Sequence, residues 1–544
     1  MMPRCSSPAV KWLGFVTAIW VQAIAGNNYT FSNYSHALKS LMSLSQLQLN
    51  NLSVAKDIGK AFGLISGFAS DALPTSWILV IGAVEGLIGY GAQWLVVSKH
   101  IAPLPYWQMC IFMCLGGNST TWMNTAVLVT CMRNFPKNQG PVSGILKGYV
   151  GLSTAIFTDI CSALFASDPS SFLLMLTIVP AVICLISAAF LHPSSPATRD
   201  DERDRETGFL NILNVIAVIM AAYLLAFDLS GDHHSRVISL AFAGGLVTLL
   251  ALPLVVPFYL IISKKEDAHL DIEQEPMKQP LLIDREASVS TKEVEPEVVV
   301  VLEPRQKPVL GEDHTIVEMM RTVDFWVLFL SFLCGVGTGM CVINNMGQMG
   351  PALGYSNVAI FVSLTSIWGF FGRIVSGMVS EHYIWKYAVP RPLWNAASQI
   401  IMAIGYVIMA LALPGSFYIG SILVGVCFGV RLTVTVPASS ELFGLKSYGL
   451  VYNILILNLP LGSFLFSGLL AGYLYDAQAA AYGGGNTCVG PQCYMLVYLI
   501  MAVACIVGFG LDTLLAIRTK DVYLRMWEEH KSKVRVGDIT SSKS

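Results

Sequence analysis

Ser66-Gly67-Phe68-Ala69-Ser70-Asp71 returns later in the chain as Ser376-Gly377-Met378-Val379-Ser380-Glu381, with serine, glycine and a closing acid at the same places. Each copy ends an apolar segment long enough to cross a membrane, and the two acids lie 381 − 71 = 310 residues apart. Two other landmarks recur at nearly that spacing. The Asn27-Asn28 and Asn344-Asn345 pairs are 344 − 27 = 317 apart, and the Phe135…Gly140 and Phe443…Gly449 turns are 449 − 140 = 309 apart. The chain therefore reads as two related halves. Polar positions that recur in matching membrane helices are the sequence mark of a secondary carrier whose halves rock about a central site.

Composition fits that reading. The 544 residues are 54% hydrophobic and 12% charged, where a soluble domain carries about 25% charged residues. Their mean hydropathy is +0.61. This is the composition of an integral membrane protein, so a lipid bilayer is its first partner. A net charge of −2 leaves no large basic surface for nucleic acid.

Spans of about 20 apolar residues are needed to cross hydrocarbon. They are predicted near 12–34, 52–72, 75–97, 106–131, 142–165 and 170–192, then 208–228 and 236–263, then 324–345, 357–378, 391–412, 415–436, 448–472 and 494–517. The resulting division is a six-span unit over 1–192, two additional spans in 193–263, a linker at 264–320, a six-span unit over 321–517 and a tail from 518 to 544. The run after Arg4 and Lys11 continues past signal-peptide length without a cleavage site and reads as a first span. Arg133, Lys137, Arg199, Arg203, Arg205, Lys386, Arg391, Lys446, Arg518 and Lys520 fall in loops or tail on one side, against Lys39, Lys99 and Arg236 on the other. Both termini are accordingly expected in the cytosol, in the plasma membrane or the vacuolar membrane.

Residues 264–320 hold Lys264-Lys265-Glu266-Asp267, further acids and interspersed prolines without an apolar period, and read as a disordered cytosolic linker. Gln279-Pro280-Leu281-Leu282 inside it reads either as a contact for a cytosolic partner or as a plain apolar spot. Cys488 and Cys493 sit in a glycine-rich outer loop with no histidine or second cysteine pair beside them, which favours a disulfide over a metal site. No metal and no cofactor is expected. Asn51-Leu52-Ser53 is an outer glycosylation sequon.

Two sets of residues carry the functional expectation. The first is a gate. Asp71 and Glu381 close the second span of each half, where a carboxylate can accept hydrogen bonds from a neighbouring helix N-terminus in one state and lose them in the other. Gly67 and Gly377, four residues earlier, allow close helix approach. Arg373 is grouped with them. The alternative is an ordinary acid at a helix end.

The second set is a pathway for substrate or ions. Gln22, Gly26, Tyr29 and Asn33 are spaced to share one helical face with neighbouring Asn27, and Gly335, Thr338, Asn344, Asn345 and Gln348 lie at comparable depth in the second half. Asn118, Thr121, Asn124 and Thr125 add polar groups on the fourth span. Charges at mid-bilayer cost a few kcal/mol unless paired or hydrated. Glu85, Lys147, Asp159 and Arg431 are such charges. Glu85 or Asp159 would serve a proton, and Lys147 or Arg431 an organic anion. A structural ion pair or a snorkelling side chain is the alternative for each. No G-x-S-x-G, H-E-x-x-H or G-x-x-x-x-G-K-[ST] is present, so the sequence offers no hydrolytic or ATP-driven machinery and an enzyme is not expected.

The six-plus-six plan, with glycine and acid closing the second span, resembles the major facilitator superfamily. In the first half the acid is followed by Ala72-Leu73-Pro74 in place of that superfamily's usual basic residues. The wording resembles the plant nodulin-like, or nuclear fusion defective-like, branch. The matching strings include Gly26-Asn27-Asn28-Tyr29-Thr30-Phe31-Ser32-Asn33-Tyr34-Ser35, Ala55-Lys56-Asp57-Ile58-Gly59, Leu146-Lys147-Gly148-Tyr149-Val150-Gly151-Leu152-Ser153, Asn344-Asn345-Met346-Gly347-Gln348, Ser440-Glu441-Leu442-Phe443-Gly444-Leu445-Lys446 and Tyr473-Leu474-Tyr475-Asp476. The resemblance implies an all-α integral membrane protein with the major facilitator fold, two six-helix bundles plus about two extra helices between them. It implies a secondary-active transporter of a small polar solute by alternating access. Distant similarity to oxalate/formate-type antiporters adds an organic anion by analogy. The alternative function is a membrane sensor or scaffold acting through the linker without net transport.

Overall fold

The computed structural model describes residues 8–26, 30–44, 46–165, 168–194, 200–230, 236–262, 309–355, 359–481 and 488–541, and every regular element among them is helical. The first half contains α1 (Pro8–Ile24), α2 (Ser32–Leu41), α3 (Gln46–Ala61), α4 (Gly63–Ala72), α5 (Thr75–Val97), α6 (Tyr106–Asn134), α7 (Gln139–Phe165) and α8 (Pro169–Phe190). Two further helices follow, α9 (Asp200–Ser230) and α10 (Arg236–Ala251), the latter tightened into a 3₁₀ turn over Leu252–Leu254 at Pro253. The second half contains short α11 (Ile316–Met320), then α12 (Val323–Ala352), α13 (Ala359–Tyr387), α14 (Pro392–Ala410) and α15 (Ser416–Phe443). Its next span is broken into α16 (Tyr448–Ile456), α17 (Asn458–Gly462), a π-helical stretch over Ser463–Gly472 and α18 (Tyr473–Ala481). The last helix is α19 (Gln492–Ser541).

Ten helices among the described residues are long and apolar enough to cross a membrane. Their outward faces carry Trp77, Val237, Phe258, Val503 and Ile517, all exposed, because lipid is the solvent there and the backbone is satisfied inside each helix. Local signals set several ends. Asp168 caps α8 by accepting from Ser171 N at 2.8 Å, and these bonds from Ser171 hold its carboxyl below the usual range. Thr315 and Glu318 form a reciprocal capping box on α11.

Two sequence expectations are corrected. The first span does not run from 12 to 34 as one helix: α1 stops at Ile24, Ala25-Gly26 turns, and α2 starts afresh at Ser32. At that turn Gly26 N donates to Ser153 Oγ at 3.1 Å, and a Cβ on Gly26 would lie 2.7 Å from Val150 O, so α7 takes the chain end at a point where only glycine fits. Gln22 in α1, Gly26 in the turn and Asn33 in α2 therefore do not belong to one continuous helix, and Tyr29 lies outside the described residues. The second correction concerns the loop expected over 35–51, which is largely helical, as α2 and the start of α3. Polar α3 is stable there because it lies against α6, Gly59 closing on Cys114 O and Gly117 on Lys56 O. The sequon Asn51-Leu52-Ser53 falls within α3, with Leu52 fully buried. The expected linker lies outside the described residues up to 308.

The two extra helices belong against the first half. Lys11 of α1 pairs with Glu206 of α9 at 2.6 Å, both nearly buried, and Trp20 Nε1 donates to Leu250 O of α10 at 2.7 Å. We call the end of the bundle holding Lys11, Arg133, Lys386 and Arg518 the basic end. The opposite end carries the disulfide formed by Cys488 and Cys493.

Candidate functional site

The halves meet at the basic end through glycines. Gly67 of α4 lies against Leu450 of α16, where a Cβ would come to 2.9 Å from the Leu450 Cα. Gly377 of α13 lies against α7, where a Cβ would come to 2.6 Å from Gly140 O. Helices this close leave no room for a side chain between their backbones. Hydrogen bonds then cross the seam: Ser440 Oγ donates to Gln139 Oε1 at 2.6 Å, Ser143 Oγ to Thr433 O at 3.0 Å and Asn453 Nδ2 to Thr125 Oγ1 at 2.9 Å.

The two repeated acids make different contacts on this seam. Glu381 Oε2 accepts from Gly140 N, in the first turn of α7, at 2.9 Å and from Arg391 Nη2 at 2.5 Å, while Glu381 Oε1 accepts from Trp385 Nε1 at 2.8 Å. Arg391 is 1% exposed and also donates from Nε to both Glu441 oxygens, at 2.7 and 2.9 Å. The sequence places Arg391 among the basic residues of loops on one side of the membrane. It is instead the buried centre of a three-residue cluster, sunk there because two carboxylates and Ser380 Oγ complete its fork. Asp71 has no helix N-terminus among its contacts with the described residues and accepts from Arg133 Nη2 at 3.1 Å, in a setting a third exposed. Arg133 also donates across the seam to Leu445 O and Lys446 O, at 3.2 and 3.1 Å.

Above this seam lies a cavity of about 60 Å³ between the halves, lined by Ala25, Lys60, Thr120, Thr121, Asn124, Lys147, Val150, Arg373, Leu432, Tyr452, Ile456 and Leu459. Three lining residues are cations and none is an acid. Lys147 is eight residues into α7, about 12 Å from its start at the basic end. Its Nζ donates to Tyr452 Oη of the other half at 2.6 Å and stands 4.8 Å from that ring's centre. Arg373 comes from α13, one turn before Gly377, and is 6% exposed; its guanidinium occupies the space beside Gly151 that a Cβ would fill. Lys60 comes from α3 and pairs at 2.9 Å with Asp57 one turn earlier. Asn124 Oδ1 is buried with no hydrogen-bond partner among the described residues, while its Nδ2 donates to Thr120 O at 2.8 Å. The arrangement offers charged and neutral donors lining one small space, which is the chemistry that holds a carboxylate.

Several sequence candidates lie elsewhere. Asn27 and Tyr29 are outside the described residues, as is the side chain of Asn33. Gln22 is buried within the first half and does not line the cavity. Glu85 accepts from Asn118 Nδ2 at 2.9 Å, a pair between α5 and α6, and neither residue is in the cavity lining. Asp159 is twelve residues, about 18 Å, further along α7 than Lys147 and outside the lining. Asn344 and Asn345 donate to Ser463 Oγ and Ser467 Oγ at 2.9 and 2.7 Å, tying α12 to the π-helical stretch, and Gln348 Oε1 accepts from Tyr494 Oη at 3.2 Å. These are bonds between helices of one half. Arg373, grouped with the gate by sequence, lines the cavity instead. Lys60, Thr120 and Tyr452 were missed. Lys56-Asp57-x-x-Lys60 inside a predicted span was a readable signal for the first of them, since three charges in one turn and a half do not face lipid.

Arg431 is likewise not in the cavity. It points into the second half, pairs with Asp512 of α19 and is fully buried beside Ser331, while Gly335 closes on its Nε. Its neighbour Leu432 faces the cavity. A buried pair stripped of one partner leaves an uncompensated charge and costs about 3–5 kcal/mol. Asp512→Asn is therefore expected to lower the melting temperature of the purified protein sharply, with any surviving folded fraction keeping its solute preference. Unchanged melting with altered preference would place this pair in the pathway.

Comparisons with known proteins cover both halves. Residues 11–258 match the family model described as Nodulin-like, and residues 309–524 match that described as the NFD4 C-terminal domain. Protein NUCLEAR FUSION DEFECTIVE 4 of Arabidopsis thaliana is 32% identical over 541 residues, 96% of this chain and 91% of that protein. The uncharacterized MFS-type transporter YhjX of Escherichia coli (strain K12) is 29% identical over 160 residues, 28% of this chain and 38% of that one. Among solved structures the proton:xylose symporter XylE, bound to 6-bromo-6-deoxy-D-glucose, superposes with a TM-score of 0.55 at 10% identity, over 92% of this chain and 94% of that one. That likeness shows the fold. With both halves matched and one relative aligned over nearly its whole length, the chain belongs to the nodulin-like branch of the major facilitator superfamily.

Proposed function

We propose that this protein is a secondary carrier for a small organic anion, working by alternating access. The observation that carries the reading is the lining of the central cavity, where Lys60, Lys147 and Arg373 converge with the Tyr452 hydroxyl and no lining residue is acidic. A buried group of like charges is costly; Asp57 offsets the charge of Lys60, and a bound anion would offset charge at the rest of the lining. The positive-inside rule assigns the basic end to the cytosol, with both termini there. On that assignment the seam of Gly67, Gly377, Glu381 and Arg391 is the cytosolic gate, drawn shut, and Asp71 with Arg133 is its weaker counterpart.

The test is uptake into liposomes holding the purified protein, with labelled mono- and dicarboxylates, sugars and amino acids, with and without a pH gradient. Saturable uptake confined to carboxylates is expected. Uptake of sugars or amino acids with none of carboxylates would overturn the reading, and the pH arm decides proton coupling.

A second reading, action through the linker, is favoured by one observation. Asp313 Oδ1 accepts from Leu445 N and Lys446 N at 2.9 and 3.1 Å, on the same turn whose carbonyls accept from Arg133. The linker's end is thus attached to the gate. Absence of flux for every solute from inserted, folded protein would move the weight to this reading.

A further inference from the structure

Asp57 pairs with a cation of the central cavity without itself lining it. Its Oδ1 lies 2.9 Å from Lys60 Nζ and 4.0 Å from Lys56 Nζ. The two lysines diverge: Lys60 reaches the cavity, while Lys56 is directed to the face of Phe31, 5.6 Å from the ring centre. The corner is held rigidly, since Gly59 closes on Cys114 O and Gly117 on Lys56 O, fixing α3 to the helix that supplies Thr120, Thr121 and Asn124. Across the cavity stand Lys147 and Arg373, with Tyr452 between the halves.

We infer that Asp57 is a specificity-determining residue that sets how much negative charge the transported anion carries. The inference rests on the proposed anion site. Three cations line the cavity and Asp57 subtracts one charge from them at the Lys60 pole. A monoanion held by Lys147 and Arg373 then finds Lys60 already matched. A dianion brings a second carboxylate that must compete with Asp57 for the same ammonium, and like charges this close repel. Asp57 thereby disfavours the more highly charged anion by a built-in repulsive element and leaves the monoanion nearly untouched. It acts through Lys60, so it is a positioning group as well as a charge.

The experiment compares a labelled monocarboxylate and a labelled dicarboxylate of matched carbon number in liposomes, for the parent, Asp57→Asn and Asp57→Glu. In Asp57→Asn the ratio of dicarboxylate to monocarboxylate uptake, each as kcat/KM, is expected to rise about tenfold, the effect of one unit charge at this range. Asp57→Glu is expected to restore a ratio near the parent's. If Asp57 only braces Lys56 and Lys60, both anions lose rate together and the ratio stays put, which overturns the inference. Should Asp57→Asn fail to insert, the ratio is read from Lys60→Gln, which removes the competed ammonium and is expected to lower dicarboxylate uptake relative to monocarboxylate; an unchanged ratio there also overturns it. A parent that moves no carboxylate at all refutes the anion site itself, and is distinguishable from these results.

Discussion

Arg373→Gln is expected to reduce carboxylate uptake about ten- to a hundredfold while leaving the protein folded and inserted. Arg373 is the lining cation with a planar fork, and a charge-assisted pair with a carboxylate contributes about 1.5–3 kcal/mol. Neutralising it removes one of the three cations that line the cavity, which relieves repulsion when the cavity is empty and offsets the loss of packing beside Gly151. This separates it from Asp512→Asn, where stability is what falls. Arg373→Lys keeps the charge and loses the fork, so it is expected to recover part of the rate with a raised KM. Uptake kinetics equal to the parent's in Arg373→Gln would remove this residue from the site, and a collapse in melting temperature would recast it as structural.

The second large effect is expected at the gate. Glu381→Gln keeps the shape and one acceptor but removes the charge that Arg391 Nη2 and Gly140 N share. Arg391 remains bound to Glu441, within the second half, so the variant weakens the contact between halves more than the fold of either one. Breaking a buried pair costs about 3–5 kcal/mol, and even a part of that shifts a two-state balance more than tenfold. A single cysteine at Ser143, placed in a background lacking the other free cysteines, is expected to label from the basic-end side at least ten times faster in Glu381→Gln. Unchanged labelling would count against a gate. Asp71→Asn is expected to change this rate little, because its partner Arg133 is a third exposed and exposed pairs contribute about 0–1 kcal/mol.

That contrast shows what the sequence could and could not carry. The repeat of Ser66–Asp71 in Ser376–Glu381 marks the same place in each half, and it is legible because glycine at a helix crossing and an acid at a helix end are local requirements. The partners are not local. Glu381 finds Gly140, 241 residues away, and Arg391 finds Glu441. A sequence gives Arg391 as a charge beside a proline in a loop, and only the fold buries it. The apolar spans were legible from length and composition: α5 begins and ends where expected, at Thr75 and Val97.

The failures have physical causes as well. The stripe from Gln22 to Asn33 assumed one continuous helix, yet α1 ends at Ile24, where the turn at Gly26 docks on α7. The start of α3, Gln46–Asn51, is expected as loop because its polar residues carry no apolar period; contact of this helix with α6 supplies what composition withholds. Of the four mid-membrane charges, only Lys147 reached the cavity, and no spacing rule distinguishes it from Arg431, which lies one residue from the lining position Leu432 and faces the other way. Which face of a helix meets the partner half is decided by packing across hundreds of residues.

The most direct test of the central claim is equilibrium binding of a labelled small carboxylate to the purified protein, measured beside Arg373→Gln and with unlabelled competitors. The cation-lined cavity predicts saturable binding that other small carboxylates displace, that sugars and amino acid amides do not, and that Arg373→Gln loses. Binding of equal strength in the variant, or displacement by a neutral sugar, would contradict it.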